Sequence, residues 1–372
     1  MKNPFKLTIY DKAFNRKGWL GDAIEVHATP RFNLAGSLEI TVSTANAKLG
    51  LLNTSGTRLT CEYDGEQIIS GPVRIRSGHG PHLQGTVSVT VEDDFRLLNN
   101  TLGWPVPAAG LGGQSVEYYT VTGPAETVLK DIVQKNIVTR LGRPLTVAPS
   151  LGRGATITAS IRFHPIYDRL FPAVEAAGLG VTIKQSGAGL VLDVFEPSLY
   201  KQELTEASGV VTEWDWSNEA PQASRGVIGG KGEGVLRAFQ AFNAASRETE
   251  WGDVIEVFRD ARDTEDGDVY GQRAAETLAE TSEKSGLSLK LSETKEFRYG
   301  RNGLKVGNKV PFRVGPSLLI TDVLREAQLS WTRDEGLNIT PKVGDITDSA
   351  DLIFARAIKR NSQDIRDFRS SR

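Results

Sequence analysis

Along the first hundred residues apolar and polar side chains take turns. Ser37-Leu38-Glu39-Ile40-Thr41-Val42-Ser43 places Leu38, Ile40 and Val42 on one face, the period of two that a half-buried strand requires. Residues 57–63 repeat the pattern with Leu59, Cys61 and Tyr63, and Asp64-Gly65 supplies a tight turn into a partner strand over 66–69. Gly71-Pro72 interrupts that run before Val73-Arg74-Ile75-Arg76, and residues 86–92 alternate again through Val87, Val89 and Val91. These runs predict a small antiparallel β-barrel or sandwich over residues 1–100. Its inward side chains are Leu38, Ile40, Val42, Leu59, Cys61, Val87, Val89 and Val91. A lone Cys on the apolar phase of a strand reads as a small core hydrophobe.

The period changes after Trp104-Pro105-Val106-Pro107 and the glycine-rich stretch 109–113. Pro124 stands at a first helical position, and Val128, Leu129, Ile132 and Val133 form the stripe of a short helix. A second helix is expected from about 166 to 177, stopped by Gly178. Val181-Thr182-Ile183 and residues 190–195 flank Ser186-Gly187-Ala188-Gly189 as a β-hairpin, so residues 101–205 read as an α/β piece. Strands return over 210–216, 223–228, 254–258, 287–291 and 318–323, broken by one helix near 269–284, giving a second β-rich unit over 206–345. The charged end, 346–372, reads as a helix from about 349, with Leu352, Ile353 and Ile358 as a docking stripe.

Composition narrows the class. The chain has 372 residues, 39% hydrophobic and 24% charged, which is globular rather than disordered. Single cores stop growing at roughly 250–300 residues, so two or three packed units are expected. One Cys excludes a disulfide framework and Cys-rich metal sites. With 44 Lys+Arg against 46 Asp+Glu, a general electrostatic grip on nucleic acid is not expected. No apolar run reaches the roughly 20 residues of a membrane span, and residues 1–10 do not read as a signal peptide, which predicts a soluble protein without stable membrane insertion.

Motifs for chemistry fail one by one. Gly229-Gly230-Lys231-Gly232-Glu233-Gly234 has neither the spacing nor the following Ser or Thr of a phosphate loop and reads as a loop between strands. In the acidic stretch 260–268, placing Gly267 at the sixth position of a calcium loop puts Arg262 first and Arg273 twelfth, where carboxylates are needed. His27, His79, His82 and His164 form no metal-binding helix motif, and no nucleophile elbow occurs. Asp93-Asp94 and the carboxylate of Trp214-Asp215-Trp216 are the remaining candidates for glycosidase-like chemistry, with turn and surface roles as the ordinary reading. The expectation is no catalytic, cofactor-binding or metal-binding residue.

The order of the strand and turn motifs carries more than any one of them. Residues 31–42, Arg-Phe-Asn-Leu-Ala-Gly-Ser-Leu-Glu-Ile-Thr-Val, are followed by Gly56-Thr57-Arg58-Leu59, Tyr63-Asp64-Gly65 and Ser70-Gly71-Pro72-Val73. Val91-Glu92-Asp93-Asp94-Phe95-Arg96-Leu97-Leu98 comes next. Further on stand Gly229–Glu233 with Gly234 and Arg237, then Glu256-Val257-Phe258-Arg259-Asp260-Ala261-Arg262, then Tyr299 and Leu304-Lys305-Val306-Gly307-Asn308-Lys309-Val310. This series resembles the tail hub proteins of siphophages, the family called Gp37-like or minor tail protein, over roughly residues 5–345.

The resemblance implies a β-rich α+β fold: two small antiparallel β-barrels joined by α/β elements, assembled as a homotrimer. It implies a structural virion protein at the tail tip, adapting a sixfold tail tube to a threefold tip and lining part of the DNA and tape-measure channel. The implied partners are a distal tail protein or tail-tube ring, the tape measure protein and downstream tip or fibre proteins, with DNA only in transit. Asn308 stands where such hubs commonly carry an acidic residue. An end near Arg372 leaves no room for a lytic extension, which favours a structural hub over a cell-wall-degrading one. Two alternatives remain: a carbohydrate- or receptor-binding tail protein using Trp19, Trp104, Trp214, Trp216, Trp251 or Trp331, and a tail enzyme.

Overall fold

A computed structural model describes residues 2–81, 85–262, 267–291 and 298–344. His82, residues 263–266 of the acidic stretch and the expected C-terminal helix lie outside the described residues.

The alternating runs form strands. Ser37–Ser43 and Thr86–Glu92 pair antiparallel, with Leu38 opposite Val91, Ile40 opposite Val89 and Val42 opposite Val87. Seven of the eight residues expected to point inward are fully buried; Val87 is half-buried against the same core. Arg58–Tyr63 turns into Glu66–His79 through Asp64 and Gly65, both at positive φ (49° and 75°), the geometry of the favoured two-residue hairpin turn. Residues 66–79 are one long strand rather than two. Its first half pairs with Arg58–Tyr63 and its second with Thr86–Glu92. At the change of partner, a Cβ on Gly71 would lie 1.9 Å from the Glu92 carbonyl oxygen, so only glycine lets the two backbones pass.

The first hundred residues do not stand alone. Glu25–Thr29 pairs antiparallel with Leu318–Thr332, placing Val26 opposite Trp331 and Ala28 opposite Leu329. The ladder runs in the order Val211–Glu219, Lys284–Leu291, Gly336–Gly344, Leu318–Thr332, Glu25–Thr29, Ser37–Ser43, Thr86–Glu92, Glu66–His79. It then continues through Arg58–Tyr63 and Phe5–Tyr10 to Arg16–Leu20. Among the described residues this path is open and no ladder closes into a barrel. The core beneath it joins Leu7, Leu38, Ile40 and Leu59 to Leu289, Phe312, Leu329 and Trp331, at the opposite end of the chain. Strands near both ends therefore share one hydrophobic interior.

Residues 95–194 build a second core. The helical stripe lies on Ala125–Val133, where Val128, Leu129, Ile132 and Val133 are buried; Pro124 caps this helix instead of starting it. A π-helical segment, Gln134–Arg140, prolongs it, which the stripe does not foretell. Ile166–Ala176 packs Leu170, Phe171 and Val174 inward, and the hairpin Gly180–Ser186 with Gly189–Phe195 forms as expected.

A third, smaller unit separates the two strands at one end of the ladder. Arg225–Gly229 lies between Phe239–Asn243 and Glu256–Asp260, with the helix Gly267–Glu280 on one side. Ile228, Ala261, Tyr270 and Ala274 make its core.

Candidate assembly surface

One face of the ladder covers the core and the other is polar. Alternation sends Glu39, Thr41, Ser88, Thr90, Ser330, Asn338 and Thr340 to the side opposite the core. Thr41 and Ser88 hydroxyls bond at 3.0 Å, Ser88 donates to Glu39 at 3.2 Å, and His27 Nδ1 lies 3.1 Å from the Ser330 hydroxyl. The surface is rich in hydroxyl groups bonded across strands.

Several strand edges of the main ladder stand without a partner strand among the described residues. Val211–Glu219 is bonded on one side only, and Glu213, Asp215, Trp216 and Glu219 along it are exposed. Residues 74–79 pair only with Thr86–Glu92, and Ile75 there is 61% exposed. Arg16–Leu20 ends the other side of the path.

The α/β piece is joined to the ladder by polar side chains. Asn33 donates to the Leu179 carbonyl at 2.9 Å and accepts the Val181 amide at 2.8 Å. Gln67 does the same for Gln185, accepting its amide at 2.8 Å and donating to its carbonyl at 3.2 Å. Between them, Arg58 donates to Asp94 and to the Gln185 side chain, and Ser70 Oγ donates to Asp94 at 2.9 Å. Asp93 accepts the Phe95 amide at 2.8 Å on the wall of a shallow cleft shared with Arg31, Gln67 and Lys184. Burial pushes the Asp93 carboxyl up to about 8, with the Asp94 charge adding to the shift. Asp93 and Asp94 are thus tied into this seam and do not face each other across an open groove.

The other sequence candidates are scattered. Trp214 and Asp215 alternate across the edge strand; Trp214 packs 6.2 Å from Phe312 and its indole donates to Glu206. The glycine stretch is a folded turn: Arg237 donates to the carbonyls of Gly229 and Gly230 at 2.9 Å, and a Cβ on Gly230 would strike the Tyr270 hydroxyl. Its carbonyls are capped by a cation, the reverse of an anion cradle. His164 is half-buried, and desolvation, then Arg169, Arg273 and Arg162, lowers it to about 3. Cys61 is buried in the main core, which pushes its thiol up. Of the tryptophans, Trp331 is core, Trp104 meets Phe163 edge to face with ring centres 5.5 Å apart, and Trp19 is 58% exposed beside Arg16. Among the described residues no three His, Cys, Asp or Glu side chains gather as metal ligands.

This arrangement presents a hydroxyl-rich sheet face and strand edges without a partner strand among the described residues. The model of the Siphovirus ReqiPepy6 Gp37-like protein family matches residues 6–345. The chain belongs to that family. Solved structures share the Gp37-like fold at low identity. The 43 kDa tail protein of prophage MuSo2 from Shewanella oneidensis superposes with a TM-score of 0.57 at 14% identity, covering 92% of this chain and 100% of that one. The tail protein from Neisseria meningitidis MC58 gives 0.55 at 10% identity, over 92% and 97%. Prophage tail protein gp18 from Listeria monocytogenes EGD-e gives 0.53 at 12% identity, over 95% and 98%. A comparison with curated proteins finds no match. The Gp37-like resemblance read from the order of the motifs is thus shown, along with the β-rich fold.

Sequence reasoning missed two parts of this surface. Gly336–Gly344, a full strand of the ladder, carries Pro341 and Gly344 and was not singled out by its pattern. The seam amides Asn33 and Gln67 give no sequence signal, since their bonds go to main chain more than a hundred residues away.

Proposed function

We propose that this protein is a structural, non-enzymatic component of a phage tail, a homotrimeric hub at the tail tip that joins a sixfold tail-tube ring to a threefold tip. The observation that carries this reading is the composition of the ladder. Seven of its strands, from Phe5–Tyr10 to Thr86–Glu92, come from the first hundred residues; four more, Val211–Glu219, Lys284–Leu291, Leu318–Thr332 and Gly336–Gly344, come from beyond residue 206. On this reading 1–100 and 206–345 supply two barrel-like units, 101–205 the α/β piece between them, and 346–372 a terminal segment. Three chains then offer six such units, which match a sixfold ring on one side while the remainder stays threefold.

The hydroxyl-rich face suits a channel that passes a tape measure protein and then DNA. It presents few fixed cations to hold phosphates, and retention on DNA grows with every cation that does. The partners are a distal tail protein or tail-tube ring above and tip or fibre proteins below. Light scattering on the purified protein and imaging of virions test the proposal. Three copies at the tail tip are expected. A monomer both alone and in virions, or a position in capsid, fibres or tube wall, would overturn it, and cleavage of host cell wall by the pure protein would overturn its non-enzymatic part.

A further inference from the structure

The small third unit is covered on one side of its sheet only. Ile228 and Phe242 face the helix Gly267–Glu280, where Tyr270 and Ala274 complete the core. Alternation turns Val227, Phe239, Ala241 and Phe258 to the other side. All four are exposed, Phe239 by 58% and Phe258 by 54%. Just beyond them, the turn of the hairpin carries Val235 and Leu236, 100% and 86% exposed. Charged side chains close the two ends of this strip without crossing it. Arg225 donates to Glu248 at 2.6 Å at one end; at the other, Arg237 donates to Asp260 at 2.7 Å, its guanidinium 5.4 Å from the Phe258 ring centre. A contiguous apolar strip of this kind marks a surface that something covers. The pairing of Arg225–Gly229 with Glu256–Asp260 is parallel, and parallel pairing is characteristic of sheets covered on both faces.

Three strands are about 10 Å across, the diameter of one helix. The C-terminal segment has the matching form. At helical spacing, Ile353, Phe354, Ile358, Ile365 and Phe368 fall on one stripe, whereas Arg356, Lys359 and Arg366 fall on the opposite side. Arg360 and Arg369 border the stripe, and exposed Glu256 and Glu233 stand at the two ends of the strip, so the charges are complementary. The segment also starts in the right place. Gly344 pairs with Gly286, close to where Gln222 donates to the Thr281 carbonyl and the third unit leaves the ladder. Roughly eight extended residues, or about 26 Å, lead from Gly344 to the first row of the strip at Arg225 and Glu256. Residues 345–352 supply that length, and the stripe begins at Ile353. The match to the family ends at residue 345, so the segment lies outside the matched region.

We propose that residues 353–368 lie as an amphipathic helix across the open sheet face of the third unit of their own chain, with Phe354, Ile358 and Ile365 on Val227, Ala241 and Phe258. The unit then becomes three layers, helix, sheet and helix, with both sheet faces buried. The contact is made within one subunit and goes beyond the hub reading, since it holds whatever the number of copies.

The test is limited trypsin digestion of the full chain, with the C-terminal fragments followed by mass spectrometry. Val227→Asp combined with Phe258→Asp alters the strip and leaves the C-terminal sequence untouched, and circular dichroism checks the fold. Cleavage after Lys359 and Arg360 should be at least tenfold faster in this variant than in wild type. Equal rates overturn the docking. A second measurement does not depend on how that variant folds: a chain carrying Val227→Cys and Ala357→Cys is treated with a short bismaleimide, with buried Cys61 taking no part. A link within one chain is expected. Links only between chains would give the strip to the C-terminal segment of a second copy, and no link at all would leave it to another protein of the assembly; either result overturns the proposal.

Discussion

Arg58 and Asp94 form an ion pair sealed inside the seam between the ladder and the α/β piece, their side chains 8% and 1% exposed. Arg58 reaches it from a strand whose other face holds Leu59 and Cys61 in the main core, and its guanidinium also lies 4.4 Å over the Phe14 ring. Burial raises the Asp94 carboxyl even beside this guanidinium, so desolvation outweighs the attraction. Breaking such a pair from one side leaves the other group buried without compensation. Asp94→Ala is expected to destabilise the protein by about 3–5 kcal/mol. Replacing both groups at once, Arg58→Met with Asp94→Leu, should cost less than Asp94→Ala alone. Urea titration of the three proteins checks the order.

Asp93 makes the stability of the protein depend on pH with a definite sign. Its folded value of about 8 stands above the ordinary 3.8, so the folded chain holds a proton that the unfolded chain releases. The contribution is complete below about pH 4 and is lost as pH rises through about 8. Asp93→Asn keeps an acceptor for the Phe95 amide and cannot ionise. Relative to wild type it should gain melting temperature steadily from pH 4 to pH 8. Parallel curves over that interval would show that Asp93 titrates normally.

Gly71 allows one strand to change partners, since any Cβ there would press on the Glu92 carbonyl. Gly71→Ala is expected to cost about 1–3 kcal/mol, the range for forcing atoms into a packed site. Gly110→Ala, at a position with open space around it, should be close to neutral. Thermal melts of the pair separate a steric effect from a general dislike of alanine.

Cys61 gives a direct reading of the strand phase. The thiol should react with an aromatic disulfide reagent only as the protein unfolds, because it is fully buried and its ionisation is suppressed. Rapid labelling of the native protein would contradict the inward assignment of Leu59 and Cys61 together.

Local pattern gave the strands and their phase, because one buried face imposes a period of two. It did not show that Arg58 and Thr60, on the supposed outer face of the same strand, are also buried. Arg58 is covered by Gln185 of the hairpin, by Asp94 and by the Phe14 ring, and nothing near residue 58 announces them. The pairing of Glu25–Thr29 with Leu318–Thr332 was equally hidden, for a short apolar run fits many partners and register is decided by the assembled core. Helix Ala125–Val133 was legible from its stripe, whereas the π-helical turn after it depends on Asn136, which bonds both Ile132 O and the Trp104 amide. Edges were the least visible feature: Trp214-Asp215-Trp216 reads as a strand, but an unpaired flank is a property of the whole sheet.

The strand Gly180–Ser186 receives its polar cover from the ladder through two amides, Asn33 near one end and Gln67 near the other. Each side chain accepts one main-chain N–H and donates to one C=O, as a neighbouring strand would. Truncating either leaves a main-chain donor and an acceptor without their partners, and an unmet buried group costs about 1–3 kcal/mol. Asn33→Ala should be the worse of the two, because Asn33 is 1% exposed and water cannot take its place, whereas Gln67 is half-buried. The loss should be local before it is global. Hydrogen exchange at the Val181 amide is expected to quicken in Asn33→Ala, and at Gln185 in Gln67→Ala, while the amides of Ser37–Ser43 keep their protection. Equal acceleration across the ladder would mean that the α/β piece and the sheet unfold as a single unit and that these amides do not form a separable joint.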